Sequence, residues 1–152
     1  MLLTLVTGAR AQQGREQWKP IEPSTPGVRF AYIDVYVDPG SRPLAAYQLD
    51  LKATRAAGSV KIVGIEGGES AAYKQPPYYD PKAMQRDRVI LAAYSTAPPS
   101  DLPTARTRVA RIHIEITDDK RPAFACTLTS AADFSGERIQ GEVDIKQQGD
   151  GK

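Results

Sequence analysis

Every second residue from 45 to 53 is apolar, namely Ala45, Tyr47, Leu49, Leu51 and Ala53, while Gln48, Asp50, Lys52 and Thr54 fill places between them. A period of two belongs to a strand with one buried face and one wet face. The pattern recurs. Ala31, Ile33, Val35 and Val37 alternate around Asp34, and Ala110, Ile112, Ile114 and Ile116 alternate with Arg111, His113 and Glu115. Residues 60–65 begin on one parity and finish on the other, which predicts a bulge near Val63 or Gly64, and Gly67-Gly68 ends that segment. Residues 88–95, 123–129 and 138–145 supply further strands. Asp80 as cap and Pro81 in the first turn predict a single helical turn over 82–86. Seven or more short strands, cut by turns drawn from 12 Gly and 12 Pro, predict an all-β, antiparallel β-sandwich around one core. Leu49, Leu51, Ile112, Ile114 and Val143 are the expected core residues.

The chain of 152 residues suffices for one ordinary domain. Twenty Lys and Arg against 18 Asp and Glu leave a net charge of +2, too weak a field to favour a nucleic-acid partner. Cys126 and His113 are the sole residues of their types, so no disulfide forms within the chain and the ligand set for structural zinc is missing. No metal and no cofactor is expected. Cys126 shares a strand face with Phe124 and Leu128 and reads as a small buried hydrophobe, with no neighbour in sequence to activate it as a nucleophile.

Residues 1–11 contain Leu2-Leu3-Thr4-Leu5-Val6 and then Ala9-Arg10-Ala11, the apolar run and Ala-x-Ala box of a secretory signal without a basic segment in front. A short frayed N-terminus is the other reading. The run is far below the ~20 residues of a membrane span. Residues 12–27, with Pro20, Pro23 and Pro26, read as an extended proline-rich arm. The β-domain occupies 28–146, and 147–152 form a loose tail. Export places the mature chain in the periplasm, at the cell surface or outside.

Val35-Tyr36-Val37-Asp38, Pro43-Leu44-Ala45-Ala46-Tyr47-Gln48-Leu49-Asp50-Leu51 and Ser59-Val60-Lys61-Ile62-Val63-Gly64-Ile65-Glu66-Gly67-Gly68 together resemble the opening strands of bacterial cohesin modules. Residues 88–95 and 107–114 look like the two strands that follow. Residues 54–59 stand where that family usually carries an Asp-Pro-Asn-type turn, so the resemblance is to a divergent, non-cellulosomal module. It implies a jelly-roll β-sandwich of about nine strands, shared with certain cellulose-binding modules, and a role in binding rather than catalysis. It also implies a protein partner, dockerin-like or other, held on one flat outer sheet face. Carried over strand by strand, that face comprises Gln48, Asp50, Ile90, Tyr94, Arg111, His113 and Glu115. A carbohydrate-binding module on the same fold is the alternative, for which Tyr94, Tyr36 and Tyr32 are the available aromatics.

Val89, Leu91 and Ala93 alternate with Ile90, Ala92 and Tyr94, so this strand is apolar on both sides. A solvent-facing sheet normally turns polar groups outward. The second side is therefore either a small interface or lies under a loop such as 67–79 or the arm at Trp18. Tyr78 and Tyr79, held between Pro77 and Pro81, either stack on a sugar or partner, or plug an end of the sandwich. Arg106, Arg108 and Arg111 form a basic patch or are ordinary face charges. His113, outward among isoleucines, reads as a polar strand residue, and Asp118-Asp119 as a turn whose carboxylates accept backbone bonds.

Overall fold

The computed structural model describes residues 27–149. The segment expected to be a secretory signal and nearly all of the expected proline-rich arm, Trp18 included, lie outside the described residues, as do the last three residues of the expected tail. Seven strands follow in order: β1 (Arg29–Asp38), β2 (Ala46–Arg55), β3 (Val60–Gly67), β4 (Arg88–Tyr94), β5 (Thr107–Ile116), β6 (Ala123–Ala132) and β7 (Glu142–Gln148). They form a four-stranded sheet ordered β3-β5-β1-β7 and a three-stranded sheet ordered β4-β2-β6. Every pairing is antiparallel.

Strand parity decides which side chains enter the space between the sheets. Ile33, Val35, Ile112 and Ile114 from one sheet and Leu49, Leu51, Val89 and Leu91 from the other are all buried in one cluster. Removing such side chains from water supplies the main stabilising term of the fold. Two buried tyrosines join them edge to face, with ring centroids 5.3 Å apart. The Tyr47 hydroxyl donates to the Val109 carbonyl at 3.2 Å and the Tyr73 hydroxyl to the Leu44 carbonyl at 2.7 Å, so neither phenol is left unpaired in the core. Val143 departs from its expected place. It is half-buried, because β7 is an edge strand whose inner face is only partly covered.

Among the described residues there are seven strands rather than nine. The long connections 68–87 and 95–106 form 3₁₀ turns and isolated bridges instead of further strands. They carry Pro76, Pro77, Pro81, Pro98, Pro99 and Pro103, none of which has an N–H for a ladder. The last strand begins at Glu142 rather than near Arg138, which makes only a single bridge to Ala132, and it continues through Gln148. The bulge falls at Val63, where the register with β5 slips between Ile62 and Gly64. Asp80 caps a 3₁₀ turn, Pro81–Ala83, with its carboxylate accepting the Lys82 N–H at 2.9 Å. Gly68 is required where the chain leaves β3, since a Cβ there would overlap the Arg108 carbonyl oxygen.

Candidate binding face

The seven residues expected on one face lie on two. Gln48 and Asp50 of β2 and Ile90 and Tyr94 of β4 share the outer side of the three-stranded sheet, where Asp50 stands opposite Ile90 and Ala46 opposite Tyr94. Arg111, His113 and Glu115 also point outward, but from β5, which sits between β3 and β1 in the four-stranded sheet. The outer faces of two packed sheets look away from each other. Parity assigned each residue to the outside of its own sheet and carried no information about which sheet that was.

On the four-stranded side the polar residues have found each other. Asp34, 2% exposed, receives two hydrogen bonds from Arg111, at 2.7 and 3.0 Å, and lies 3.5 Å from an Arg108 nitrogen. Arg106 grips Asp144 at 2.9 and 2.6 Å, His113 Nε2 lies 2.7 Å from Glu66, and Lys61 lies 3.4 Å from Glu115. The Arg111 and Arg106 guanidinium groups also sit over the rings of Tyr32 and Tyr36, at 4.1 and 3.7 Å from the ring centres. Such contacts are favourable cation–π geometries. They cover the two aromatics that a carbohydrate reading needs free, and both stand on the sheet opposite Tyr94. The three arginines are thus paired face charges rather than an open basic patch.

The three-stranded side is different in kind. Ile90 and Tyr94 are 47% and 64% exposed, so no described loop covers the apolar strip of β4. The loop from β3 instead runs beside it. Tyr78 pairs with Ala92 on the free edge of β4, its N–H donating to the Ala92 carbonyl at 2.7 Å and its carbonyl accepting the Ala92 N–H at 3.0 Å. Its ring, 67% exposed, stacks on Tyr94 with centroids 6.1 Å apart and planes 10° apart. Tyr79 turns the other way and packs half-buried against the core. The two neighbouring tyrosines therefore divide the two roles open to them in sequence. Tyr78's place beside Tyr94 left no periodic trace, since it depends on a loop reaching the sheet edge.

A cavity of about 290 Å³ opens at the tyrosine end, bordered by Gln48 and Ser130. Another of about 420 Å³ lies at the opposite end beside Ile90, Arg88 and Lys82. There Arg88 holds Asp50 through two bonds of 2.9 and 2.7 Å. Those bonds keep the Asp50 carboxyl below the usual aspartate range and raise Arg88 above its own. Asp80 is committed to its capping bond. The face therefore offers aromatic and aliphatic surface with a polar border, the make-up of an interface with an apolar centre. No protein-family model, curated protein or solved structure matches the chain.

Among the described residues there is no group of three or more His, Cys, Asp or Glu placed to hold a metal ion. No helix among them is long and apolar enough to cross a membrane. Burial pushes the Cys126 thiol up to about 12, and the nearby Asp50 charge adds to the shift. Cys126 is half-buried rather than fully buried, packed against the core cluster beside Phe124 and Leu128.

Proposed function

We propose that this chain is a non-catalytic binding module of an exported protein, cohesin-like in organisation, that engages a partner protein on the outer face of its three-stranded sheet. The observation that carries the reading is the uncovered strip Tyr78, Tyr94, Ala92 and Ile90, where sheet surfaces ordinarily carry polar side chains. Gln48 and the Asp50–Arg88 pair form its border. The jelly-roll connection and the kinship with cohesins rest on the strand texts from 35 to 114. Secretion to the periplasm, the cell surface or the medium rests on the apolar run and Ala-x-Ala box at 1–11. A carbohydrate ligand is the second reading, favoured by one observation: two exposed tyrosine rings lie nearly parallel at one end of the strip.

The test uses the immobilised full chain, offered exported proteins of the producing organism and, separately, cellulose, xylan and chitin. Tyr94→Ala and Ile90→Asp are expected to abolish protein capture while the thermal melt stays nearly unchanged. Retention on a polysaccharide that disappears in both Tyr78→Ala and Tyr94→Ala selects the carbohydrate reading. Undiminished capture in both Tyr94→Ala and Ile90→Asp overturns the assignment of the face.

A further inference from the structure

The bridge between Tyr78 and β4 ends after one residue. Both main-chain groups of Ala92 bond to Tyr78, so they point away from β2, toward the free edge of the sheet. In an antiparallel strand every second residue shares that direction, so Arg88, Ile90 and Tyr94 also turn their N–H and C=O to the edge. The alternate residues face β2, in keeping with the flanking bonds from Ser95 N–H to the Ala45 carbonyl and from Ala53 N–H to the Asp87 carbonyl, 2.8 and 2.9 Å.

Continued pairing would place Asp80 opposite Ile90. Asp80 instead caps the turn at Pro81–Ala83, and the chain swings away. The same connection then closes the neighbouring edge of the other sheet: the Ile62 N–H donates to the Arg86 carbonyl and the Gln85 N–H to the Ile62 carbonyl, both at 2.8 Å. One segment thus seals the edges at Ala92 and at Ile62 and leaves Ile90 between them, with no main-chain partner for its outward groups among the described residues. The cavity of about 420 Å³, walled by Asp80, Lys82, Ala83 and Arg88, opens at that point.

We propose that this gap receives a short extended peptide segment of the partner protein, which adds to the edge of β4 by exchanging two main-chain hydrogen bonds with Ile90. The inference rests on the three-stranded sheet being the binding side and names the chemistry recognised there. A donor and an acceptor set on one strand residue match the acceptor and donor of one residue in an extended chain, as Tyr78 demonstrates one step along the same edge. Tyr78 also limits the guest, since it already occupies the place opposite Ala92. The added segment must end or turn away there, with a side chain free to lie against Ile90.

Amide exchange followed by NMR on the full chain tests this. In the free protein the Ile90 amide is expected to exchange quickly, while those of Leu91 and Ala92 are slow. The probe is acetyl-Thr-Val-Thr-Val-Thr-amide, with a second version N-methylated at one central residue so that the side chains remain and one main-chain donor is lost. The unmodified peptide should slow exchange at Ile90 about tenfold or more, and the methylated peptide should bind about tenfold more weakly, the scale of one net hydrogen bond. Ile90→Pro, which removes an N–H that the β2 ladder does not use, should weaken the unmodified peptide similarly. Slow Ile90 exchange in the free protein, no protection at millimolar peptide, or equal affinity of the two peptides overturns the proposal. If partner capture is lost in Tyr94→Ala while Ile90 stays unprotected by the peptide, the edge proposal fails alone. If capture survives both Tyr94→Ala and Ile90→Asp, the reading of the face fails first.

Discussion

The two outer faces of this sandwich are built by the same alternation and differ in what their side chains have left to do. On the four-stranded side, Asp34, Arg111, Arg106, Asp144, Glu66 and His113 bond to one another across strands, and guanidinium groups lie over Tyr32 and Tyr36. On the three-stranded side, Ile90, Tyr94 and Tyr78 stay exposed, and the Gln48 side chain makes no hydrogen bond among the described residues. A surface rich in charges is therefore not by that fact a binding surface. Groups already paired within the chain must give up those bonds before they recognise anything else, and each lost bond costs more than its net contribution. An exposed apolar strip has no such bonds to break.

The largest effect separates the two sides of one strand. Leu49→Ala is expected to cost about 2–5 kcal/mol in a denaturant titration, because it empties part of the core. Gln48→Ala should change stability by less than about 0.5 kcal/mol. Equal losses would mean that the parity of β2 is wrong and that the faces have been exchanged. The next effect separates the two outer surfaces. Asp34→Ala should cost about 1–3 kcal/mol, since it leaves Arg111 and Arg108 without their buried carboxylate. Tyr94→Ala should stay within about 0.5 kcal/mol. A comparable loss in both variants would erase the distinction between a structural face and a free one.

The response to pH distinguishes the surface from the core. Hydrogen bonds from Arg88, Arg106 and Ser59 lower the carboxyls of Asp50, Asp144 and Asp118 respectively. Their stabilisation is present above the unfolded aspartate value of about 3.9 and is lost as the pH falls through the lower folded values. Burial raises Cys126 and both core phenols, Tyr47 and Tyr73. Their contribution is intact below the unfolded values of about 8.5 and 10 and is lost as the pH rises toward the folded ones. Chemical denaturation across pH should therefore show a plateau between about 5 and 8 with a fall on each side. Tyr73→Phe removes one titrating core group and should soften only the alkaline limb. The smallest expected effect is that of a chelator. EDTA should leave the melting temperature unchanged, and a drop of several degrees would require a metal site that bears on the comparison.

The strands were legible in the sequence because a two-residue period survives without any knowledge of neighbours. β1, β2 and β5 follow it closely, the slip at Val63 follows from the change of parity, and Asp80 with Pro81 marks a turn by local chemistry alone. Sheet membership was not legible, because parity is local and pairing is not. The strand-by-strand resemblance groups Arg111, His113 and Glu115 with Gln48, Asp50, Ile90 and Tyr94, and the pairing of β5 with β1 and β3 separates them. Asp34 looked like any outward polar residue, since its burial is made by Arg111 and Arg108, some seventy-five positions away. Half of the candidate site was visible as the doubly apolar text of β4. Tyr78 was visible as an exposed aromatic but not as the neighbour of Tyr94, which only the loop's return to the sheet edge brings about.

The most direct measurement is a side-by-side capture of exported proteins by the wild-type chain, Tyr94→Ala and Lys61→Ala. Lys61 is an exposed residue of the opposite face, paired there with Glu115. Wild type and Lys61→Ala should retain the same bound protein at equal yield, and Tyr94→Ala should lose it while melting at nearly the same temperature. Loss in Lys61→Ala with full retention in Tyr94→Ala would contradict the account and move the binding surface to the four-stranded sheet.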